Sequence, residues 1–313
     1  MTQLIFELGH GITCIDTLYV RPGVASCYLI EHNGKAAFID TGTTYTTPRL
    51  LDLLAEKGLT REDVEYIIPT HVHLDHAGGA GTLIEALPNA KLVIHPRGAR
   101  HMIDPTKLVA GAKVVYGEEA FDKLYGELVA VPAERVIEAG DNFKLSLNGR
   151  ELLFIDTPGH ARHHFCIYDA LSEGIFSGDT FGLSYREFDG PEGPFIFPPT
   201  TPVQFDPVAW HHSLDKMMAL KPKRIYLTHF CMVENPLELV TQLRARIDEY
   251  TGLAEAADKE NLYQNIVHGL ENSMLAQLEK QKSPTTKKEA LEILKIDIDL
   301  NAQGLQVWLE SRE

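Results

Sequence analysis

The chain has 313 residues, 44% of them hydrophobic, which is enough for one large core or for a core with an added segment. Asp and Glu number 44 against 29 Lys and Arg, so the formal net charge is −15. A surface of this sign repels phosphate backbones and anionic lipid, which argues against nucleic acid and membranes as the main partners.

Strand and helix signals alternate through the first part of the chain. Residues 26–32 and 35–40 flank an Asn-Gly pair, which predicts a tight hairpin between two strands. A helix is predicted over residues 47–58, opened by a Thr-Pro pair and closed by a glycine. A short apolar strand, residues 64–69, then leads directly into a histidine-rich segment.

The middle of the chain is again mixed, and the end is helical. Residues 100–135 are predicted to be helical or irregular, residues 181–207 form a long loop, and a helix follows to residue 220. From residue 235 only helical spacing of apolar residues is found, with a break at residues 283–286. Further strands are predicted at residues 91–95, 145–147, 151–155, 164–168, 174–177 and 224–228.

This order of elements predicts an α/β fold. Strands, helix, strands and helix occur twice and are followed by helices, which favours a four-layer αβ/βα sandwich with added C-terminal helices. We divide the chain into a catalytic domain, residues 1–234, and a helical extension, residues 235–313. The extension must bury its apolar stripe, so we expect it to pack on the domain near the active-site entrance, with a homodimer as a second possibility.

Cysteine usage and the first residues favour a cytoplasmic protein. The N-terminal residues contain no basic region and no long apolar run, so secretion and membrane spanning are not supported. The cysteines are widely separated, with no C-x-x-C pair, which is typical of reduced, buried thiols. They are Cys14, Cys27, Cys166 and Cys231.

The strongest chemical signal is the histidine motif, which we define as residues 71–76. It supplies His71, His73, Asp75 and His76 directly after a strand. Imidazole nitrogen and carboxylate oxygen are ligands suited to zinc and to iron or manganese. Four ligand-type side chains within six residues cannot all reach one tetrahedral ion, but a turning loop can present two to each of two ions. Small residues follow, and we expect them to avoid crowding the metals.

Three further residues complete the predicted site. His160 follows Thr157-Pro158-Gly159, Asp179 follows Ser177-Gly178, and His229 follows Leu227-Thr228, each at or just beyond the end of a predicted strand. Alone, each signal is weak. Together they follow one pattern, in which each strand delivers one ligand to the same edge of a sheet.

These motifs, in this order, resemble the metallo-β-lactamase superfamily over residues 12–232, and most of all its branch of glyoxalase II and related thioesterases. The resemblance implies two divalent ions, with zinc as first choice and iron or manganese as alternatives. It also implies that Asp179 bridges the ions and that Asp40 supports the metal loop without binding. The ligands implied are His71, His73 and His160 for one ion, and Asp75, His76 and His229 for the other.

The predicted function is hydrolysis of an activated acyl bond in a small molecule, first of all a thioester, by attack of a metal-bridging hydroxide. Asp75 is placed to accept or relay a proton. The thioester rests on the resemblance, and no basic C-terminal patch for glutathione is found. A lactonase and a mononuclear-iron persulfide dioxygenase are the alternatives. A β-lactamase, a nuclease, a flavin-partnered diiron protein and a pure binding protein are less favoured.

Weaker signals lie near the motifs. His163 and His164 are predicted either to touch substrate or to pack under the loop, and Tyr185 is a candidate donor to an oxyanion. The loop over residues 188–205 contains Phe195 and Phe197, which are expected either to wall an apolar acyl pocket or to pack on one another.

Overall fold

The structure is a computed structural model that describes residues 4–312. Their fold divides into two compact units. Unit 1 holds the residues up to Asp156 together with His163–Gly178, and unit 2 holds Thr157–Arg162 together with the residues from Asp179 onward. The division therefore does not coincide with residue 234, and the predicted domain boundary there stays a prediction.

The larger sheet of unit 1 has antiparallel pairing on one side and parallel pairing on the other. Short connections make β1 to β4 antiparallel, whereas helical crossovers make β4 to β7 parallel. Its strands, in spatial order, are β1 (Ile5–Glu7), β2 (Ile12–Asp16), β3 (Ser26–His32), β4 (Lys35–Ile39), β5 (Val64–Ile68), β6 (Lys91–Ile94) and β7 (Val136–Glu138).

The predicted hairpin between β3 and β4 is confirmed. Asn33 and Gly34 have φ values of 49° and 76°, and a two-residue hairpin turn of this kind needs positive φ at both positions. The strand β7 was not predicted, because three residues are too few to show a period.

Helices of unit 1 pack against this sheet through apolar residues. In the first helix, Leu50, Leu53 and Leu54 join a buried cluster with Phe38 and Ile67. The predicted excursion over residues 100–135 contains helices. The unit 1 helices are α1 (Thr47–Glu56), α2 (Leu74–Ala77), α3 (Ala80–Ala86), α4 (Pro96–Ile103), α5 (Thr106–Tyr116) and α6 (Glu118–Tyr125).

A second set of strands in unit 1 pairs antiparallel throughout. An ion pair buried in it joins Arg150 to Asp169, with Nε to Oδ1 at 3.0 Å and Nη2 to Oδ2 at 2.5 Å. Burial opposes ionisation of Asp169, but the hydrogen bonds and charge of Arg150 outweigh it and hold the pKa below its usual value. The strands are β8 (Lys144–Leu147), β9 (Arg150–Asp156), β10 (Phe165–Asp169) and β11 (Gly174–Gly178).

Unit 2 contains a short strand pair and long helices. Asp206 caps α7 by accepting a 3.0 Å hydrogen bond from Ala209 N, as its position before a proline predicts. The strand β13 was missed, because four residues directly after His229-Phe230 show no alternation. The elements are α7 (Pro207–Ala219), β12 (Arg224–Leu227), β13 (Cys231–Glu234), α8 (Pro236–Ala256), α9 (Leu262–Lys280) and α10 (Lys287–Glu310).

The predicted break near residue 284 is confirmed, because α10 begins at a capping box. Thr286 N donates to Glu289 Oε2 at 3.0 Å, and Glu289 N donates to Thr286 Oγ1 at 3.3 Å. A further break, between α8 and α9, was not predicted. Among residues 4–312, none of the helices is both long and apolar enough to cross a membrane.

The loop over residues 188–205 of unit 2, which we call the aromatic loop, packs on its own side chains. Phe188, Phe195 and Phe197 have no exposed surface, and their ring centroids lie 5.3–5.4 Å apart along the series. Of the two expectations for this loop, packing by its own side chains therefore holds. These rings offer no wall to an acyl pocket.

Candidate metal centre

The histidine motif lies in unit 1. His71 and His73 lie between the end of β5 and the short helix α2, and Asp75 and His76 lie in α2 itself. The ring centroid of His71 is 4.4 Å from that of His73 and 4.1 Å from that of His76, so the three imidazoles form one group. His71 and His76 are buried, whereas His73 and Asp75 are partly exposed. The turn at the strand end thus presents one pair of ligand-type groups inward and another towards solvent.

Asp40 lies beneath this motif, where the β4 strand ends. Its Oδ2 is 2.9 Å from His76 Nδ1, and its Oδ1 accepts hydrogen bonds from Thr70 N at 2.7 Å and Thr70 Oγ1 at 3.0 Å. The residue is fully buried and adopts a φ of 56°, a backbone conformation that non-glycine residues rarely adopt. This position fits the predicted supporting role of Asp40.

Thr70 is a supporting residue to which the sequence assigned no role. Besides its bonds to Asp40, its hydroxyl lies 3.2 Å from His71 Nδ1. A threonine before a histidine is common, so only its neighbours in space distinguish it.

The glycines after the motif allow a close approach of the backbone, as expected. A Cβ at Gly79 would lie 2.7 Å from the carbonyl oxygen of Thr43, and one at Gly78 would lie 2.3 Å from that of Leu74. Close backbone packing therefore requires glycine at these two positions.

Unit 2 carries the other three predicted ligands, which are the carboxylate of Asp179 and two histidines that flank it. Asp179 Oδ2 is 3.3 Å from His160 Nε2, and Asp179 Oδ1 is 3.6 Å from His229 Nε2. All three side chains are buried. Each oxygen of Asp179 thus faces a different histidine, which is the arrangement that a bridging carboxylate needs.

Hydrogen bonds on the far side of two imidazoles set which nitrogen is available. His160 Nδ1 lies 2.7 Å from the carbonyl oxygen of Pro199, and a carbonyl only accepts, so Nδ1 carries the proton. The same argument applies to His76 Nδ1 and the Asp40 carboxylate. In the neutral rings the lone pair is therefore on Nε2, ready for a metal.

Each unit contributes its own set of nitrogen and carboxylate donors, the histidine motif in unit 1 and the residues around Asp179 in unit 2. Nitrogen and carboxylate donors of this kind suit zinc, iron or manganese. The donor set therefore fits the predicted divalent metals. The donors are His71, His73, Asp75 and His76 in unit 1, and His160, Asp179 and His229 in unit 2.

The weaker candidates lie away from exposed surface. His164 is fully buried, with its ring centroid 4.9 Å from that of His71, and the ring of His163 stacks on that of His71 with centroids 6.1 Å apart. His164 thus packs against the motif, and a substrate contact for it stays a prediction. Tyr185 donates to Asp297 Oδ1 at 3.0 Å, a partner on α10 that no sequence signal indicated. A role of Tyr185 at an oxyanion stays a prediction.

Comparison with known proteins decides the family. The family model of the metallo-beta-lactamase superfamily matches residues 20–229, which is more than half of the chain. The chain belongs to the metallo-β-lactamase superfamily. Members of this superfamily are mostly metal-dependent hydrolases. The predicted resemblance is therefore confirmed.

Several relatives in this superfamily are similar over part of their length. The metallo-beta-lactamase fold-containing protein ST1585 of Sulfurisphaera tokodaii is 28% identical over 66% of this chain and 73% of its own. A hydroxyacylglutathione hydrolase of Maricaulis maris is 31% identical over 61% of this chain and 58% of its own. The human acyl-coenzyme A thioesterase MBLAC2 is 26% identical over 55% of this chain and 64% of its own. The chain thus spans less than two thirds of the last two.

Solved structures of the superfamily confirm the sandwich fold. A metallo-beta-lactamase family protein of Thermus thermophilus has a TM-score of 0.69 at 21% identity, covering 98% of this chain and 95% of its own. The archaeal protein ST1585 has a TM-score of 0.67 at 24% identity, covering 95% and 99%. At these identities the likeness concerns the fold alone.

Proposed function

We propose that this protein is a dinuclear metal-dependent hydrolase that cleaves an activated acyl bond, with thioesters as its substrate class. Membership of a superfamily of mostly metal-dependent hydrolases supports the reaction class. The names of two relatives support the substrate class, since acyl-coenzyme A and hydroxyacylglutathione are both thioesters. Zinc is the proposed metal.

The observation that carries the proposal is the position of Asp179. Its two oxygens face the Nε2 atoms of two different histidines, His160 at 3.3 Å and His229 at 3.6 Å. Two histidines and one carboxylate could also hold a single iron ion, but Asp75 and His76 are further ligand-type side chains that a mononuclear site does not need. The full set of donors therefore favours two ions over one. It therefore also favours hydrolysis over the dioxygenase alternative.

The proposed ligand assignment is the one that the resemblance to the metallo-β-lactamase superfamily implies. His71, His73 and His160 would hold one ion, and Asp75, His76 and His229 the other, with Asp179 shared. When bound, a pair of divalent ions would lower the pKa of a bound water towards about 7 and would polarise the substrate carbonyl.

The chain's own side chains supply orientation and proton transfer. Asp75 is partly exposed and its Oδ2 lies 3.8 Å from His76 Nε2, so its carboxylate can reach solvent beside the proposed ligands. It is the group placed to accept a proton from the nucleophile. The buried Asp40, Thr70 and His164 hold the imidazoles in place beneath.

The test combines metal analysis with a small substrate panel. Metal analysis of the protein purified without added metal identifies the bound ions. At full loading, the protein should contain about two divalent ions per chain. It should hydrolyse acyl thioesters faster than lactones and β-lactams, should do so without oxygen, and should place solvent oxygen in the carboxylate product.

Two results would contradict the proposal in different ways. Strict dependence on dioxygen with an oxidised sulfur product would replace the hydrolase with the dioxygenase. Efficient opening of lactones with inert thioesters would keep the reaction class and move the substrate to the lactonase alternative.

A further inference from the structure

The carbonyl group that orients His160 belongs to a buried stretch of the aromatic loop, Pro198–Thr200, which we call the proline strap. His160 Nδ1 donates to Pro199 O at 2.7 Å. The ring is also held edge-on against Trp210, with centroids 6.0 Å apart. Pro199 lacks an N–H and has a fixed φ, so the direction of its carbonyl depends on the peptide plane that follows it.

That peptide plane is held on its opposite side by Asn301 of α10. Thr200 N donates to Asn301 Oδ1 at 2.7 Å, and Thr200 N and Pro199 O belong to one planar peptide group. One rigid group therefore accepts from His160 at one end and donates to Asn301 at the other. Asn301 Nδ2 also donates to Pro198 O at 3.2 Å, and Asn301 O accepts from Thr200 Oγ1 at 3.1 Å.

Helix α10 packs tightly against the proline strap. Asn301 is 1% exposed and Thr200 is fully buried. A Cβ at Gly304, one turn along α10, would lie 1.5 Å from Thr200 O, so glycine is required for this contact. The strap is thus fixed by helix α10 rather than by its neighbours in sequence.

We propose that Asn301 is a positioning residue for the metal ligand His160, acting through the Pro199–Thr200 peptide group. The inference rests on the proposed metal centre. A metal-binding histidine needs an acceptor on its second nitrogen to fix the ring and its tautomer, and loss of such an acceptor typically weakens metal binding 10- to 100-fold. Aligned hydrogen bonds also polarise one another, so the Asn301 contact strengthens the carbonyl as an acceptor.

The test measures metal affinity and not turnover. Metal-loaded full-length protein is titrated with a zinc chelator, and the cobalt-substituted form is examined by visible absorption. Asn301→Leu has a similar size but removes the oxygen that accepts from Thr200 N. In this variant the dissociation constant of one ion should rise about tenfold, and the cobalt absorption bands should change. In Asn301→Asp an acceptor for Thr200 N remains, so this variant should recover most of the affinity.

A buried position elsewhere on α10 separates positioning from stability. Leu294 is fully buried, and Leu294→Ala should lower the melting temperature while leaving both dissociation constants and the cobalt spectrum unchanged. The proposal is overturned if Asn301→Leu keeps wild-type affinity and spectrum, or if Leu294→Ala weakens metal binding equally. A wild-type protein that binds two ions but cleaves none of the panel would overturn the proposed function alone.

Discussion

Asp40 Oδ2 lies 2.9 Å from His76 Nδ1, and both side chains are buried. Because the carboxylate also accepts from Thr70 N and Thr70 Oγ1, it ties the end of β4 to the loop that carries the histidine motif. The pair therefore links the fold of unit 1 to the direction in which His76 presents Nε2. That relationship makes Asp40 a test of how the fold supports the site.

Replacing Asp40 by Asn should weaken metal binding 10- to 100-fold, because an amide cannot accept from both His76 and Thr70. The free energy of unfolding should fall by about 1–3 kcal/mol, since a buried donor loses its partner. Chelator titration and urea unfolding measure the two effects. Asp16→Asn is the matched control: Asp16 is a buried carboxylate that accepts from Leu18 N and Gly23 N, both at 2.8 Å. Equal loss of metal affinity in both variants would contradict this role.

Removing the shared carboxylate should affect both ions. In Asp179→Ala each of the two histidines facing Asp179 loses its companion ligand, so metal content should fall below one ion per chain after dialysis. Elemental analysis gives the ratio. Asp206→Asn in the same unit should keep full metal content, because Asn caps a helix as well as Asp. Loss of a single ion in Asp179→Ala would show that this carboxylate does not bridge.

The pH dependence should report the acid groups of the proposed reaction. We expect kcat/KM for a thioester to rise with pH to a plateau, with a midpoint of about 7, because the attacking species is deprotonated water. Asp75→Asn should lower the plateau by about 10²- to 10⁴-fold through loss of the proton acceptor. Rates are compared at saturating metal concentration, so that weaker metal binding by the variant does not lower the measured rate. A variant with wild-type rates at every pH would remove Asp75 from the mechanism.

The buried ion pair of Arg150 and Asp169 should make unit 1 sensitive to acid. Its contacts hold the folded-state pKa of Asp169 below the usual value, so the stability it contributes is present above the unfolded pKa of about 3.9. That stability is lost as pH falls through the folded pKa. Arg150→Met should cost about 3–5 kcal/mol at pH 7, because it leaves a buried charge without its partner.

Urea unfolding at pH 7 and near pH 3 checks this expectation, and the difference between wild type and Arg150→Met should shrink at the lower pH. Lys144→Met is the control, since Lys144 forms only an exposed ion pair with Glu151 at 3.0 Å. A constant difference at both pH values would show that Arg150 acts through packing alone.

Much of the fold and of the candidate site could be predicted because its signals are local. The turn between β3 and β4, the cap of α7 and the break before α10 each depend on a few adjacent residues whose backbone preferences hold in any context. The histidine motif, His160, Asp179 and His229 could be proposed for the same reason. Each follows a strand, and ligand-type side chains at strand ends stand out against the apolar runs before them.

Other features depend on packing between distant segments, which no local pattern records. The sequence allowed the aromatic loop either to wall a pocket or to pack on itself. Only the burial of its rings in unit 2 distinguished these two arrangements. The contact of Asn301 with the proline strap spans about a hundred residues, as does that of Tyr185 with Asp297. The sequence determined which side chains are able to bind metal, since that follows from residue type and from strand ends. The tertiary structure decided which groups hold those side chains in place, since a hydrogen bond between distant segments exists only after helices and loops have packed.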